Sequence, residues 1–143
     1  MIDHKTAPYA ALLLRVSLGV MFIAHSLYLK VFVFTVPGTV QFFASLGLPA
    51  AAAYATIAAE ILGGLALILG VQTRVAALAL VPVLAGALWV HAGNGWVFSA
   101  QGGGWEYPLF LIVAALVQAL VGDGAFALRK SPSLDRLKPA PAR

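Results

Sequence analysis

Arg15, His25, Glu60, His91 and Glu106 each lie inside or against a long apolar run of this chain. A charge at the centre of a bilayer costs roughly 2.5–3.5 kcal/mol even on a lenient insertion scale, so such residues usually face one another or a wet cavity. Imidazole can carry a proton near neutral pH or ligate a metal, and a carboxylate can hold it in one tautomer. His25, His91 and Glu106 are therefore the catalytic candidates, and His25, His91, Lys30 and Trp105 the cofactor-binding candidates. A quinone ring needs donors to its two carbonyl oxygens and a proton path once reduced. Histidine with a nearby carboxylate supplies both. The plainer alternative is that both imidazoles bond only to backbone carbonyls or lipid headgroups.

Arg15 and Glu60 lie on successive apolar runs, and a pair between them would offset much of each burial cost. That pair is expected either as a structural ion pair fixing helix register or as a polar floor beneath a proton or quinone site. No metal site is assigned. Bis-histidine haem would want an attachment motif that is absent, and His25, His91 and Glu106 lack a His-x-x-x-His spacing for copper or zinc. The chain has no cysteine, which excludes disulfides, thiolate redox chemistry and cysteine-ligated iron–sulfur clusters within it.

The elements that must position these residues are membrane helices. The sequence is 62% hydrophobic and only 10% charged, well outside the range of soluble domains. Its 143 residues fit one small bundle, with no room for a separate nucleotide-binding domain. Apolar runs cover residues 9–29, 50–69, 75–92 and 107–121. The first three can cross ~30 Å of hydrocarbon, and the fourth needs its flanks or a thin bilayer. Lys5 before the first run loosely imitates a signal peptide, but the run is too long and reads as an uncleaved helix.

Pro37 can start and Gly47 can cap a short interfacial helix whose apolar side is Phe42, Phe43 and Leu46. Glycines between residues 93 and 104 make a flexible loop, a candidate lid, among Trp89, Trp96, Trp105 and Tyr107. Ala51, Ala55, Ala59 and Gly63 form a small-residue stripe for close helix approach. Pro82 should kink the third long helix, and Asp123 between two glycines reads as a helix-ending turn.

The expected fold is all-α: a four-helix transmembrane bundle over residues 1–124, with the interfacial helix between helices 1 and 2. Residues 125–143 are expected to form a basic, disordered cytoplasmic tail. The net charge is +4, and Arg129, Lys130, Arg136, Lys138 and Arg143 concentrate it near the end. Beside a membrane helix, such a tail points to an anionic lipid surface and not to nucleic acid. Lys5, Arg74 and the tail fall on one side and only Lys30 on the other. The positive-inside rule then places both termini in the cytoplasm.

Taken in order, several segments carry a resemblance. They are Arg15-Val-Ser-Leu-Gly19, Phe22, His25 and Lys30; Phe42 to Pro49; Ala59-Glu60-Ile-Leu-Gly63-Gly64; Leu69 to Arg74; and Glu106-Tyr107-Pro108-Leu109. Together they resemble the DoxX family of small bacterial membrane proteins. Ser26 departs from the glycine often found there, and the end of helix 4 matches only loosely. The resemblance implies a multi-pass protein of the bacterial inner membrane with an oxidoreductase label. Relatives include the membrane subunit of a thiosulfate:quinone oxidoreductase. The expected function is thus a quinone-facing subunit or anchor of a membrane redox complex. It would have no intrinsic cofactor, its electron donor would sit on a soluble or membrane partner, and homo-oligomers stay open. The alternative is a noncatalytic scaffold, or a protein handling small solutes or metals.

Overall fold

A computed structural model describes residues 3–133. Helix α1 spans Ala7–Ile23 and continues without a break as wider π-type turns over Ala24–Val33. Helices α2 (Val36–Ser45), α3 (Ala50–Leu69), α4 (Thr73–His91) and α5 (Glu106–Val121) follow, with a short 3-10 turn at Ala92–Asn94. Among the described residues, three stretches are long and apolar enough to cross a membrane: Ala7–Val33, Ala50–Leu69 and Thr73–Asn94. Helix α5 is also apolar, but its 16 residues reach only about 24 Å. The fold is the expected helical bundle, with the expected short helix, α2, between the first two long helices.

The long helices close into a ring: α1 packs on α3, α3 on α4, α4 on α5, and α5 back on α1. Leu18, Phe22, Leu67, Leu80, Leu84, Leu111 and Ala115 fill its centre. Helix α2 lies outside the ring, against α3 and the π-type turns. Its boundaries are written in local chemistry. The Thr35 hydroxyl accepts from Gly38 N at 3.3 Å, and Pro37 needs no donor in the first turn. At the other end Gly47 takes φ +77°, and Leu48 N donates to Phe43 O at 3.0 Å, closing the helix with a left-handed glycine.

Helices α1 and α3 pack closely at Gly19 and Gly64. A Cβ on Gly19 would sit 2.6 Å from the Gly64 carbonyl oxygen. The expected stripe is not this contact. Ala51 and Ala55 are exposed, and Gly63 instead meets Leu80 of α4. The buried face of α3 is Ala53, Ile57, Glu60, Gly64 and Leu67, one residue set around from the stripe.

The expected Arg15–Glu60 pair does not form. Arg15 is 1% exposed, and its guanidinium donates to Leu67 O at 2.9 Å, Ile68 O at 2.6 Å and Ala125 O at 2.9 Å. The first two are carbonyls of the last turn of α3, where a cation is favoured; Leu67 O also accepts from Gly70 N at 3.2 Å. Arg74 acts likewise on α5, donating to Ala119 O at 2.6 Å and Leu120 O at 3.1 Å. Both arginines thus cap a neighbouring helix at the same end of the bundle.

Asp123 ties this end together. It accepts from Thr73 N at 3.2 Å, Ser131 N at 2.9 Å and the Ser131 hydroxyl at 2.6 Å. Arg129 exchanges backbone bonds with Gly70 and Gln72. Residues 125–131, counted with the tail in the sequence reading, are therefore laced to the α3–α4 turn. Arg136, Lys138 and Arg143 lie outside the described residues.

Arg15→Met should destabilise the bundle by about 3 kcal/mol, because charged hydrogen bonds to buried carbonyls are lost. In a double-mutant cycle with Glu60→Gln, the coupling should be about 0.5 kcal/mol or less, since the two share no partner. Strong coupling in denaturant unfolding would contradict the separation. Burial alone would raise the Asp123 carboxyl, but the bonds from Ser131 and Thr73 outweigh it and hold it below the usual range. Its contribution is thus present above the ordinary value of ~3.9 and lost as pH falls through the lower folded value. A spin label on Lys130→Cys, specific in a cysteine-free chain, should gain mobility in that acid range. With Asp123→Asn it should be mobile already at neutral pH.

Candidate functional site

At the end opposite Arg15 the ring opens around a cavity of about 340 Å³. This is within the usual size of small-molecule sites. The π-type turns, α2, the first half of α3, the second half of α4 and the start of α5 enclose it. Most of its wall is apolar, including Phe22, Phe42, Phe43, Leu84 and Leu111. Its polar side chains are His25, Lys30, Thr56, Glu60, His91 and Tyr107, with Trp89 adding an indole N–H.

Lys30 and Glu60 form the charged centre of this wall. The ammonium sits 2.7 Å and 2.9 Å from the two carboxylate oxygens, and the side chains are 20% and 8% exposed. The register of α1 on α3 explains the pair. The Ser26 hydroxyl donates to Ile57 O at 2.9 Å. Lys30 therefore starts about two turns beyond the level of Glu60. Helical side chains lean toward their own N-terminus, and in antiparallel helices these two lean toward each other. Lys30 is also fixed through its backbone, whose carbonyl accepts from the Thr39 hydroxyl of α2 at 2.9 Å. Glu60 lies midway along α3, so the pair carries charge to the middle of a span.

Both expected imidazoles reach the cavity. His25 Nδ1 lies 3.0 Å from Met21 O one turn earlier, and its ring stacks near Tyr107 at 6.0 Å between centroids. His91 Nδ1 lies 3.0 Å from both Gly102 O and Gly103 O. The glycine loop therefore holds His91 from outside while the ring lines the cavity. Pro82 also borders it, at a point where its missing N–H interrupts the ladder of α4.

Glu106 and Trp105 do not line the cavity. Glu106 Oε1 accepts from Phe98 N at 2.7 Å, and Glu106 N donates to Trp96 O at 3.1 Å. Trp105 packs edge-on against Trp96, with centroids 4.4 Å apart. Both residues fasten the 95–105 loop to the start of α5. The sequence reading placed Glu60 with Arg15, as a structural pair or a polar floor beneath the site, and did not pair it with Lys30. It gave Thr56 no role and Tyr107 only a place among the loop aromatics. Thr56 lies one turn before Glu60 on the same face of α3, a spacing that signals it. Among the described residues no cluster of histidines, cysteines and carboxylates could hold a metal.

Lys30→Met should leave Glu60 as an unpaired carboxylate against apolar walls and destabilise the protein by about 3 kcal/mol. Lys30→Met with Glu60→Leu should recover most of that loss in the same unfolding assay. A double variant no more stable than Lys30→Met would show that the charge imbalance is not what costs stability.

A family model for DoxX matches residues 10–93, which contain Arg15, His25, Lys30, Glu60 and His91. The chain is also 31% identical over 125 residues to a Bacillus subtilis (strain 168) protein named "Putative oxidoreductase CatD", covering 87% of this chain and 88% of that one. No solved structure matches it. With three long apolar helices and most of its length matched on these two counts, this chain belongs to the DoxX family of membrane proteins.

Proposed function

We propose that the cavity is a quinone head-group site, and that the protein is the quinone-facing subunit or anchor of a membrane redox complex. One observation carries this reading. An apolar cavity within a membrane bundle presents two imidazoles and a Lys30–Glu60 pair, where apolar side chains would insert at lower cost. The apolar wall suits a ring and the start of an isoprenoid tail. The imidazoles and the carboxylate supply hydrogen bonds and sites for protons. His25 and His91 are the groups that would touch the head, with Tyr107 beside His25. Glu106 and Trp105 act through the loop and not on the ligand. The electron donor is expected on a partner protein, since this chain has no cysteine for an iron–sulfur cluster. The relative's oxidoreductase name agrees in class.

The second reading, a noncatalytic scaffold, is favoured by the completeness of the Lys30–Glu60 pair, which engages both carboxylate oxygens. Purification from the native membrane in mild detergent separates the two. The redox reading expects an extractable quinone near one per chain and a copurifying redox protein. A folded protein with neither would sink it.

In the same reading the protein sits in the bacterial cytoplasmic membrane with the Arg15 end inward. Lys5, Arg74, Arg129 and Lys130 all fall at that end. Lys30, the one Lys or Arg toward the other end among the described residues, is neutralised by Glu60. Reporter fusions after Arg74 and after Lys130 should both read as cytoplasmic, and fusions within residues 95–104 as external. The reverse pattern would overturn the orientation.

A further inference from the structure

The hydrogen-bond polarity of the cavity discriminates between two forms of a head group. A carbonyl oxygen can only accept, so each imidazole nitrogen bonded to one must carry the proton. His25 Nδ1 faces Met21 O, and His91 Nδ1 faces Gly102 O and Gly103 O, all at 3.0 Å. Each neutral ring is therefore the Nδ1–H tautomer. Its Nε2 is left as a bare acceptor without a protein hydrogen bond among the described residues. This reverses the role that the sequence reading gives these histidines, as donors to ligand carbonyls.

The other polar groups do not remove this discrimination. The Lys30 ammonium is engaged by both oxygens of Glu60. The hydroxyls of Thr56 and Tyr107 can donate or accept and so serve either ligand form. The remaining groups of fixed sense are two acceptors, the Nε2 lone pairs, and two donors, the third Lys30 proton and the Trp89 indole N–H. A hydroxyl can accept from the donors while its hydrogen goes to Nε2, whereas a carbonyl serves only the donors. A dicarbonyl head would set acceptor against acceptor at the two Nε2 positions, whereas a dihydroxy head places a hydrogen on each.

The geometry points to a site for the reduced form: the cavity takes a hydroquinone, an aromatic diol, in preference to the matching quinone. This rests on the head-group site proposed above. It names which member of the redox pair the resting protein holds, and it requires no electron transfer to be observed.

The test is anaerobic calorimetric titration of the full chain in lipid nanodiscs. The probes are a methyl-substituted hydroquinone with a decyl tail and its quinone, at a pH of about 8 where free imidazole is neutral. The hydroquinone should bind at least about tenfold more tightly, the equivalent of one to two ordinary hydrogen bonds. His25→Phe keeps an aromatic ring beside Tyr107 and removes the acceptor. It should weaken the hydroquinone severalfold and relieve the acceptor–acceptor clash with the quinone, so that the preference between the two probes narrows. His91→Phe should do the same, with the wild-type preference deciding the matter if loosening of the glycine loop unfolds that variant. Equal or tighter binding of the quinone by wild-type protein would overturn the inference and leave the head-group site standing. A folded protein that binds neither probe would overturn both.

Discussion

A charged side chain on a membrane helix can reach a partner only in the direction that its helix allows. Side chains lean toward the helix N-terminus. In an antiparallel pair, two charges converge only when each lies beyond the other's level. Lys30 and Glu60 meet this condition and close at 2.7 Å. Arg15 and Glu60 do not, because Arg15 leans toward the end of the bundle and Glu60 away from it. The rest of the upper structure follows from the pair that does form. It ties the π-type turns to the middle of α3. Through the Lys30 carbonyl and Thr39 it also places α2 over the cavity, leaving open space between α2 and α4.

The opposite end obeys a different constraint. A helix ending at the edge of hydrocarbon has four carbonyls without partners, and water reaches them poorly. Arg15 and Arg74 supply the missing donors from neighbouring helices, and Asp123 balances the positive charge while holding Ser131. Glycine makes the fit possible. A Cβ at Gly70 would lie 2.8 Å from the Arg15 guanidinium carbon, and one at Gly122 would lie 2.7 Å from an Arg74 nitrogen. The bundle is thus divided between a capped end and an end that opens around the cavity.

Much of this was legible in the sequence. Apolar run lengths give the spans, and Pro37 and Gly47 mark α2 because their effects are local backbone effects. His25 and His91 were found because ionisable groups in apolar runs are few. The partners were not legible, since pairing depends on helix register and side-chain direction, and depth alone cannot supply either. Ser26 shows the difficulty. Its bond to Ile57 O sets the register of α1 on α3, yet a lone serine in an apolar run carries no signal of its partner. Glu106 misled for a related reason. Its position beside the aromatic loop is right, but its carboxylate turns to Phe98 N in the loop.

That turn gives Glu106 an influence on the cavity from outside it. The carboxylate and the Trp96–Trp105 contact fold the loop back on α5. The folded loop brings the carbonyls of Gly102 and Gly103 to His91 Nδ1. A side chain in place of hydrogen at Gly103 would meet the His91 ring at 3.3 Å, so the loop and the imidazole are fitted to each other. The proton on His91 is therefore assigned by backbone oxygens that the loop positions. In a cavity with so few polar side chains, fixing that proton leaves Nε2 of His91 as an acceptor. The loop then acts less as a lid over the cavity than as the element that sets its hydrogen-bond sense.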